Sequence, residues 1–499
     1  MSNYSRTAFF NPVREWFSYH FKEKKLNTWL GYFILGLMGI GLAYLNSEVD
    51  FKVSFGFTGF FAAILIVILF LRYPYFGMYF LIAYSAFPIT LLRFTSNESI
   101  PFNTLTDLLI YLTMISVLSK PEYRARVDKA FWNNPVMHTF IILLIFYLVQ
   151  GANPNMLSKL GWLSFLRRYI SILMFFYFSY ALLHSWSRMK YFIHFSLVFT
   201  SLLAAYACKQ QWFGLAGFEM NYITRAKGQL ELLIQGGLLR KFSTLSDPAT
   251  SGILFSSVAV QCILLFLREK SRKARIWLMM GIVLNLLAYG YSGTRTATLM
   301  IVAGFAFYSV ATLYEKRTLV FISVILVAFT ILMTMPFSPP SIGRIRSTFM
   351  GTKDASANVR DVNRHRIQPY LYAHPMGGGI FTCINEGLKY NPGHYLATFP
   401  PDSGYMKIFA EQGWIGLLVN LITYGMIMWF GLKNFYSIRN PEIQNHCIAL
   451  LTVIFMLWVG QISQMAMGLE PQVYYYLAAL VLFIKIPNYD KNATPHDFS

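Results

Sequence analysis

The residues whose types and positions most clearly suggest binding or catalysis are arginines that border long apolar segments. Arg295 is the first of them. It follows a Ser-Gly-Thr turn in "YSGTRTATLM", at the start of an apolar run. A guanidinium binds phosphate oxygens in bidentate fashion, and a helix N-terminus, here expected to be capped by serine and threonine, adds partial positive charge. The pattern predicts a phosphate-binding residue. An arginine that snorkels from a helix end is the alternative interpretation.

Four further arginines fit the same chemistry. Arg360 and Arg364 lie within one or two helical turns in "SANVRDVNRHRIQPY", and Arg167 and Arg168 lie on the outer half of an apolar segment. A charge inside a membrane span is costly and is therefore a functional candidate. We predict that these side chains help to bind phosphate. A solvated basic face would also explain the first pair, and headgroup contacts would explain one member of the second.

Two proline-containing motifs supply supporting candidates. Asp247-Pro248 is typical of a helix start, with the carboxylate as cap and proline in the first turn, and the basic pair ahead of it could line a site. His374-Pro375 precedes three glycines, which allow a backbone to approach a ligand or another helix closely. A cap and a helix stop are the simpler interpretations of Asp247 and His374.

Titratable side chains also precede the longest apolar segment, in "HYLATFPPDSGYMKIFAEQGWIGLL", which begins at His394. Asp402 could accept a proton from a substrate, or it could merely cap the helix. His394 could be a base or a surface histidine. Glu411 lies about two turns inside the helix, where a carboxylate needs a cationic partner, and we expect an arginine to supply it.

The composition determines the elements that must position these residues. Of 499 residues, 56% are hydrophobic and only 13% are charged, which predicts an all-α, polytopic membrane protein. We predict about 12–14 transmembrane helices from fourteen apolar segments. These lie near 28–45, 53–71, 74–92, 101–118, 136–150, 160–183, 189–208, 248–267, 275–291, 295–313, 318–336, 405–431, 446–466 and 472–486.

The short loops predict the orientation. One alternating set of loops holds 16 lysines and arginines and the other holds 4, which places the first set and both termini in the cytoplasm. The predicted division is then N-terminal helices, a first external loop, central helices, a large external loop with the catalytic residues, and C-terminal helices with a cytoplasmic tail. The corresponding ranges are 1–208, 209–247, 248–336, 337–404 and 405–499.

Other function classes are less compatible with the sequence. The net charge of +20 is spread over loops that flank apolar segments, and the chain has no soluble basic domain, so we predict no nucleic-acid partner. The four cysteines (Cys208, Cys262, Cys383 and Cys447) have no CxxC spacing. We therefore expect ordinary core thiols, with no metal site, no cofactor and no disulfide framework.

Four stretches, in this order, resemble motifs of the O-antigen ligase and O-antigen polymerase superfamily over roughly residues 240–430. "FSTLSDPATSG" is similar to its Asp/Asn-Pro helix start, and "YSGTRTA" to the turn with its functional arginine, here Arg295. "NVRDVNRHRIQPYLYAHPMGGGIF" is similar to its external segment, whose arginine falls on Arg360 or Arg364. "DSGYMKIFAEQGWIGLL" is similar to the final helix start with Glu-x-Gly-x-x-Gly.

The resemblance implies a metal-independent membrane glycosyltransferase. Its donor would be a glycan on undecaprenyl diphosphate, its acceptor another glycan or the lipid A core, and a chain-length regulator is a possible partner. The active site would face the periplasm from the bacterial inner membrane. Ligases of the superfamily have histidine where this chain has Asp402. The departure favours a polymerase of O-antigen, capsule or exopolysaccharide and leaves His394 as a substitute base.

Two alternatives remain at this point. An O-antigen ligase would keep the fold and change the acceptor. A polysaccharide flippase would also have many spans and internal arginines, but transporters of this kind usually have internal repeats. We see no repeat, and the segment 337–404 is long for a transporter loop, so the flippase is the weaker alternative.

Overall fold

The computed structural model describes residues 51–95, 102–225, 229–235, 237–336, 343, 345–346, 348–349 and 355–492, and six separate residues between 29 and 39. The predicted span at 28–45 therefore lies almost entirely outside the described residues. The side chains of 351–360 are likewise not described. The chain divides after Arg72 into two units, and helix α1 (Phe51–Arg72) is the described part of the first.

The second unit is built almost wholly of helices, apart from a hairpin of two two-residue strands, β1 (Ile234–Gln235) and β2 (Leu238–Leu239). Its helices are α2 (Pro74–Ser85), α3 (Pro88–Thr95), α4 (Phe102–Ser119), α5 (Pro121–Arg124), α6 (Lys129–Trp132), α7 (Pro135–Gln150), α8 (Lys159–Leu182), α9 (Trp186–Trp212), α10 (Gly217–Arg225), α11 (Gln229–Leu233), α12 (Pro248–Arg268), α13 (Arg272–Ser292), α14 (Arg295–Ala311), α15 (Lys316–Thr334), α16 (Ala355–Ala373), α17 (Ile384–Tyr390), α18 (Gly404–Ser437), α19 (Pro441–Gly460) and α20 (Gln472–Asn492).

The predicted all-α, multi-pass membrane architecture is confirmed. Each predicted apolar segment from 53–71 onward coincides with a helix or, at 74–92, with the pair α2 and α3, which is bent by 55°. By length and composition, six helices within the described residues could cross a membrane, or seven if the bent pair counts as one span. The count falls short of 12–14 because several helices, such as α7 and α14, are apolar but only 16 or 17 residues long.

Local sequence explains where the helices begin. Six of them start with proline at the first position, where a missing N–H costs nothing: Pro74, Pro88, Pro121, Pro135, Pro248 and Pro441. Asn134, Asp247 and Asn440 precede the last three, and their side chains accept hydrogen bonds from first-turn N–H groups. The predicted Asp247-Pro248 start is therefore observed.

Helix α12 is the centre of the bundle. Its most apolar stretch is 83% buried, against 11% for α15, and it packs on α9, α13, α14 and α19. A helix that is apolar on every side is stable only when its neighbours cover every side. The starts of α12, α14 and α18 and the end of α19 are joined by direct hydrogen bonds, and the motif residues lie at these helix ends.

Candidate functional site

The start of α12 is held by Asp247. One carboxylate oxygen accepts from the N–H groups of Ala249 and Thr250 at 2.7 and 2.9 Å. The other accepts from the hydroxyls of Ser246 and Thr250 at 2.7 and 2.6 Å. Both oxygens are engaged in capping, so the simpler of the two sequence interpretations accounts for this side chain.

The turn before Arg295 contacts that helix start. Gly293 has the left-handed conformation (φ 60°), and the hydroxyl of Thr294 donates to the carbonyl of Pro248 at 2.8 Å. A Cβ on Gly252 would lie 2.6 Å from atoms of this turn, so glycine is needed there for the close approach. The two motifs predicted at Asp247 and at Arg295 are thus one packed unit.

Thr294 occupies the N-cap position of α14, but its side chain makes no capping hydrogen bond. The expectation that serine and threonine cap this helix is wrong, because the hydroxyl is used for the contact with α12 instead. Arg295 is the first helical residue and lines a small cleft with Tyr289, Thr298 and Ile345. Arg295 therefore lies beside a concave surface at the helix start.

A second guanidinium contacts the same turn. Arg240 donates from Nε to the carbonyl of Ser292 at 2.8 Å and from Nη2 to the hydroxyl of Thr294 at 3.1 Å. Arg240 was outside the predicted set of binding residues, and the basic pair at 240–241 was its only signal in the sequence. The burial of Lys241 lowers the pKa of its ammonium group. Two arginines therefore flank the start of α14.

The C-terminal end of α19 joins this turn to the start of α18. The hydroxyls of Thr296 and Ser463 are 2.8 Å apart. The carbonyl of Gln461 accepts from the hydroxyl of Ser403 and from the N–H of Gly404, both at 2.9 Å. The predicted cation Arg295 and the predicted carboxylate at 402 are thus attached to neighbouring positions of one short segment.

Asp402 is exposed at the start of α18. Ser403, not Asp402, is the N-cap, since its hydroxyl accepts from the N–H of Met406. The alternative interpretation, in which Asp402 caps the helix, is therefore wrong. Its carboxylate instead accepts from the side-chain amide of Asn363 on α16 at 3.1 Å, and its backbone has φ 49°. An aspartate in this rarely occupied conformation, outside the helix it precedes, directs its side chain away from the cap.

His394 is held by both sides of its ring. Nδ1 accepts from the N–H of Leu396 at 3.0 Å, the hydroxyl of Tyr370 lies 3.5 Å from Nε2, and the backbone of Asn155 also hydrogen-bonds the ring. Burial lowers the pKa of His394, and the nearby His374 lowers it further. Because Nδ1 accepts, the neutral ring carries its proton on Nε2.

His374 closes helix α16. Its Nδ1 donates to the carbonyl of Tyr370 at 2.9 Å, and its ring stacks on the ring of Tyr370 with centroids 4.1 Å apart. Tyr370 in turn stacks on Tyr395 at 5.1 Å. Burial raises the pKa of Tyr370 to about 12, so the phenol is neutral. This arrangement matches the helix-stop interpretation of His374 and forms an aromatic group beside His394.

The three glycines after His374 dock into a break in α18. Gly413 has φ 69° and ψ −168°, which is not helical. Around it, the N–H groups of Gly378 and Gly379 donate to the carbonyls of Ala410 and Glu411 at 2.9 and 2.8 Å. The N–H of Trp414 donates to the carbonyl of Pro375, just before the glycines, at 3.0 Å. The expectation of a close approach is met by another helix, and we call this contact the glycine dock (377–379 with 410–414).

Glu411 is buried within the glycine dock. Its Oε1 accepts from the N–H of Cys383 at 3.1 Å, and the ammonium of Lys407, paired with Glu386 at 3.4 Å, is the nearby charge. The expected arginine partner is wrong, because backbone donors and a lysine one turn earlier take its place. The carboxylate thereby ties α18 to the segment before α17 instead of facing a cleft.

The remaining arginines are placed as follows. Arg167 pairs with Asp107 at 3.2 Å, and Arg168 lies 3.8 Å from Glu470 and donates to a carbonyl at 3.5 Å. Arg364 is exposed on α16. The side chain of Arg360 lies outside the described part of the chain. Arg167 and Arg168 are thus each linked to a carboxylate. Arg364 is exposed and follows Asn363 in the chain.

The four cysteines are buried thiols, as expected for core residues. Cys383 belongs to a small hydrophobic core under the loop, together with Ile367, Leu396 and Phe399. Its burial and the nearby Glu411 raise the pKa of its thiol well above the ordinary value. The thiol is therefore inert, and its role is in packing.

Residues 280–421 match the family model described as O-antigen ligase. The match includes the Arg295 turn, α16, the glycine dock and the start of α18, and it begins after the Asp247-Pro248 motif. No curated protein matches the chain. The match supports an activity of the O-antigen ligase or polymerase type in a multi-pass membrane protein. Residues 280–421 of this chain are therefore similar to the O-antigen ligase family, in line with the superfamily that the motifs resemble.

Proposed function

We propose that the protein is a glycosyltransferase that polymerises O-antigen, capsule or exopolysaccharide repeat units from an undecaprenyl-diphosphate-linked donor. The observation that carries the proposal is the link made by the end of α19. One segment, 461–463, hydrogen-bonds both the residue after Arg295 and the residue after Asp402. A phosphate-binding cation and a potential base thus meet at one end of the helix bundle.

The donor side of the reaction requires cations for its leaving group. The glycosidic bond between the anomeric carbon and the diphosphate breaks, and the lipid diphosphate leaves with the electron pair. Arg295 and Arg240 flank the start of α14, where the helix dipole adds partial positive charge. We assign the diphosphate to these residues. Arg364, and Arg360 by its place in the sequence, would extend the basic surface on the loop side.

The acceptor side requires a base for the attacking hydroxyl. The hydroxyl oxygen bonds to the anomeric carbon, and its proton passes to a carboxylate or imidazole. Asp402 is exposed and, within the described residues, its carboxylate accepts one hydrogen bond, from Asn363, which leaves lone pairs for the acceptor. His394 is the weaker candidate, because its lone-pair nitrogen already accepts from Leu396. We therefore assign the base to Asp402.

The proposed location follows from the substrate and from the loop charges. The lipid tail of the donor stays in the bilayer while its diphosphate and sugar lie at the surface. The loop charges favour an external surface for this end of the bundle, which would be the periplasmic face of the inner membrane, with both termini cytoplasmic. A site at the edge of the bilayer then meets the reactive bond where it naturally lies.

A ligase is the second candidate, and the description of the matching family favours it. The same cations and base would serve, and the acceptor would be a lipid A core or another hydroxyl. The aspartate at 402, where ligases of the superfamily have histidine, favours the polymerase. The acceptor therefore distinguishes the two activities.

The test is a glycan ladder on a gel from cells that lack the gene and carry wild-type protein, Arg295→Ala or Asp402→Ala. Asp361→Ala is the matched control for Asp402, since it removes a carboxylate that is 70% exposed from the same loop. Arg272→Ala, at the exposed start of α13, is the control for Arg295. Each variant is checked for membrane abundance by immunoblot.

A polymerase predicts that single repeat units accumulate without the gene and that only wild type and the two controls restore the ladder. A ligase predicts full-length glycan on the lipid carrier with none on the core. If the ladder and the carrier-linked glycan are unchanged without the gene, the enzymatic proposal fails. If Arg295→Ala and Asp402→Ala restore the ladder fully, the assigned residues are wrong.

A further inference from the structure

A group of basic side chains lies at the far end of α8 from the candidate site. The start of α8 contacts the large loop, where the N–H of Ser158 donates to Asn391 at 2.7 Å. At its other end, the carbonyl of Leu182 accepts from the hydroxyl of Tyr75 at 3.1 Å. The 24 residues of α8 extend about 36 Å at 1.5 Å per residue, so this end lies far from the candidate site.

Two guanidinium groups contact one tyrosine at this end. Arg126 Nη1 lies 3.4 Å from the hydroxyl of Tyr75, and the guanidinium of Arg188 lies 4.6 Å from the centre of the same ring. Arg126 Nη1 also lies 3.3 Å from Nδ1 of His184. We call Tyr75, Arg126, His184 and Arg188 the basic cluster.

The positive charge of the basic cluster is not balanced by a carboxylate. Within the described residues, neither Arg126 nor Arg188 takes part in an ion pair. Asp128 is close in sequence, but it accepts from the hydroxyl of Tyr180 and from a backbone N–H. Burial lowers the pKa of His184, and the neighbouring cations, Arg126 and Arg188 among them, lower it further.

Exposed apolar rings lie next to the basic cluster along the helices. Phe76 follows Tyr75 and is 37% exposed, and Tyr191, one turn after Arg188, is 62% exposed. Tyr79 packs edge-on against Tyr191 with ring centroids 5.6 Å apart. A cationic cluster next to exposed apolar rings is complementary to a phospholipid, which has a phosphate group and acyl chains. A soluble phosphate would contact only the cationic cluster.

We propose that the basic cluster binds the phosphodiester headgroup of an anionic phospholipid, with an acyl chain against Phe76 and Tyr191. Arginine donates two N–H groups to phosphate oxygens, and Tyr75 adds a hydroxyl donor. The loops that carry Arg126 and Arg188 belong to the basic set predicted to face the cytoplasm, where anionic lipid is enriched. This inference concerns a lipid site separate from the proposed catalytic end and does not depend on the glycosyltransferase activity.

The test uses the purified full-length protein in detergent with dioleoyl-phosphatidylglycerol, dioleoyl-phosphatidylcholine or inorganic phosphate. Lipid binding is counted by native mass spectrometry and thermal unfolding is followed in parallel. We expect Arg126→Gln with Arg188→Gln to weaken phosphatidylglycerol binding by roughly 25-fold, at about fivefold per basic residue. The matched control, Arg272→Gln with Lys273→Gln, removes two exposed charges from another basic loop and should bind as wild type does.

The result that would overturn the proposal is an equal loss in the two double variants, because binding would then follow total charge. Equal stabilisation by inorganic phosphate would also overturn it, since the exposed apolar rings would have no part. The melting temperature of each variant with phosphatidylcholine, compared with that of wild type, shows whether the variant is folded. If the double variant melts early, Arg188→Gln alone, at an exposed side chain, replaces it and should lose about fivefold. Wild-type affinity in that variant would reject the site.

Discussion

The Arg295–Asp402 end and the glycine dock are both built from motif residues, yet they use them in opposite ways. Around Arg295 and Asp402, backbone and hydroxyl groups hold the helix ends together, while Arg295 lines a cleft and Asp402 is exposed. In the glycine dock, the carboxylate of Glu411 is buried and accepts a hydrogen bond from a backbone N–H. Motif membership therefore does not by itself identify a chemical role; the partner of each polar atom does.

The largest expected effect separates the two regions by folding. A Cβ on Gly413 would lie 1.9 Å from the carbonyl oxygen of Pro375, and its φ of 69° is strained for alanine. We expect Gly413→Ala to destabilise the protein by about 3 kcal/mol or more, and to abolish a monodisperse peak in size-exclusion chromatography. Gly425→Ala, in the same helix with nothing within 4 Å of the added Cβ, is the control and should elute normally.

Asp402→Asn tests the opposite case, a loss of activity without a loss of fold. Removing a general base lowers the rate by about 10²–10⁴-fold, and the melting temperature should stay within a degree or two of wild type because the side chain is exposed. Transfer of labelled repeat units from a lipid-diphosphate donor measures the rate. If Asp402→Asn has a clearly lower melting temperature than wild type, or transfers repeat units as fast as Asp361→Asn, Asp402 is not the base.

Arg295→Ala is expected to reduce the same rate by about 10²–10³-fold, since one preorganised donor to the leaving group is lost. Arg295→Lys should recover only part of it, because an ammonium cannot bind phosphate in bidentate fashion. The two variants are compared at saturating donor. Full activity of the lysine variant would mean that charge alone matters at this position, and full activity of the alanine variant would remove Arg295 from the site.

Asn363→Ala sharpens the assignment of Asp402. The amide donates to the carboxylate at 3.1 Å, and the loss of one hydrogen bond to a charged group corresponds to roughly tenfold in rate. Because Asn363 would act by orienting the carboxylate, the added effect should vanish when Asp402 is already asparagine. A double-mutant cycle on the transfer rate makes this comparison, and additive losses would argue against the contact.

The smallest effect concerns His394 and pH. Its folded-state pKa lies below the ordinary value of 6.5, so the folded state binds the proton more weakly than the unfolded chain. Its contribution to stability is therefore present above pH 6.5 and is lost as the pH falls through the folded-state pKa. We expect the melting temperature of His394→Gln to fall less than that of wild type between pH 7 and pH 5. His365→Gln, at an exposed ring, should leave the wild-type difference intact.

The sequence predicted the helices well because apolar length and proline starts are local signals. Asp247-Pro248 begins α12, and the long helix begins within one residue of its predicted start at 405. The break at Gly413 could not be predicted, because it depends on hydrogen bonds to a segment more than thirty residues distant along the chain. The same holds for the cap at Ser403 and for the partner of Glu411, which is a backbone N–H without any sequence signature.

The candidate site was predicted only in part, for a related reason. Residue types identified Arg295 and Asp402 as candidates, and the residues that follow them, Thr296 and Ser403, hydrogen-bond the segment at the end of α19. Arg240 was passed over because the sequence does not reveal that its guanidinium reaches across to the turn of α14. The catalytic roles of all these residues stay predictions until the variants are measured.

The break at Gly413 has a consequence for how the protein fits bilayers of different thickness. Beyond it, residues 414–437 extend about 36 Å, which exceeds a hydrocarbon core of about 30 Å and obliges this part of α18 to tilt. Before it, the two turns from Gly404 are pinned to α19 and to the glycine dock. Changes of tilt can therefore be absorbed at residue 413, so that the start of α18 beside Asp402 keeps its position relative to α19.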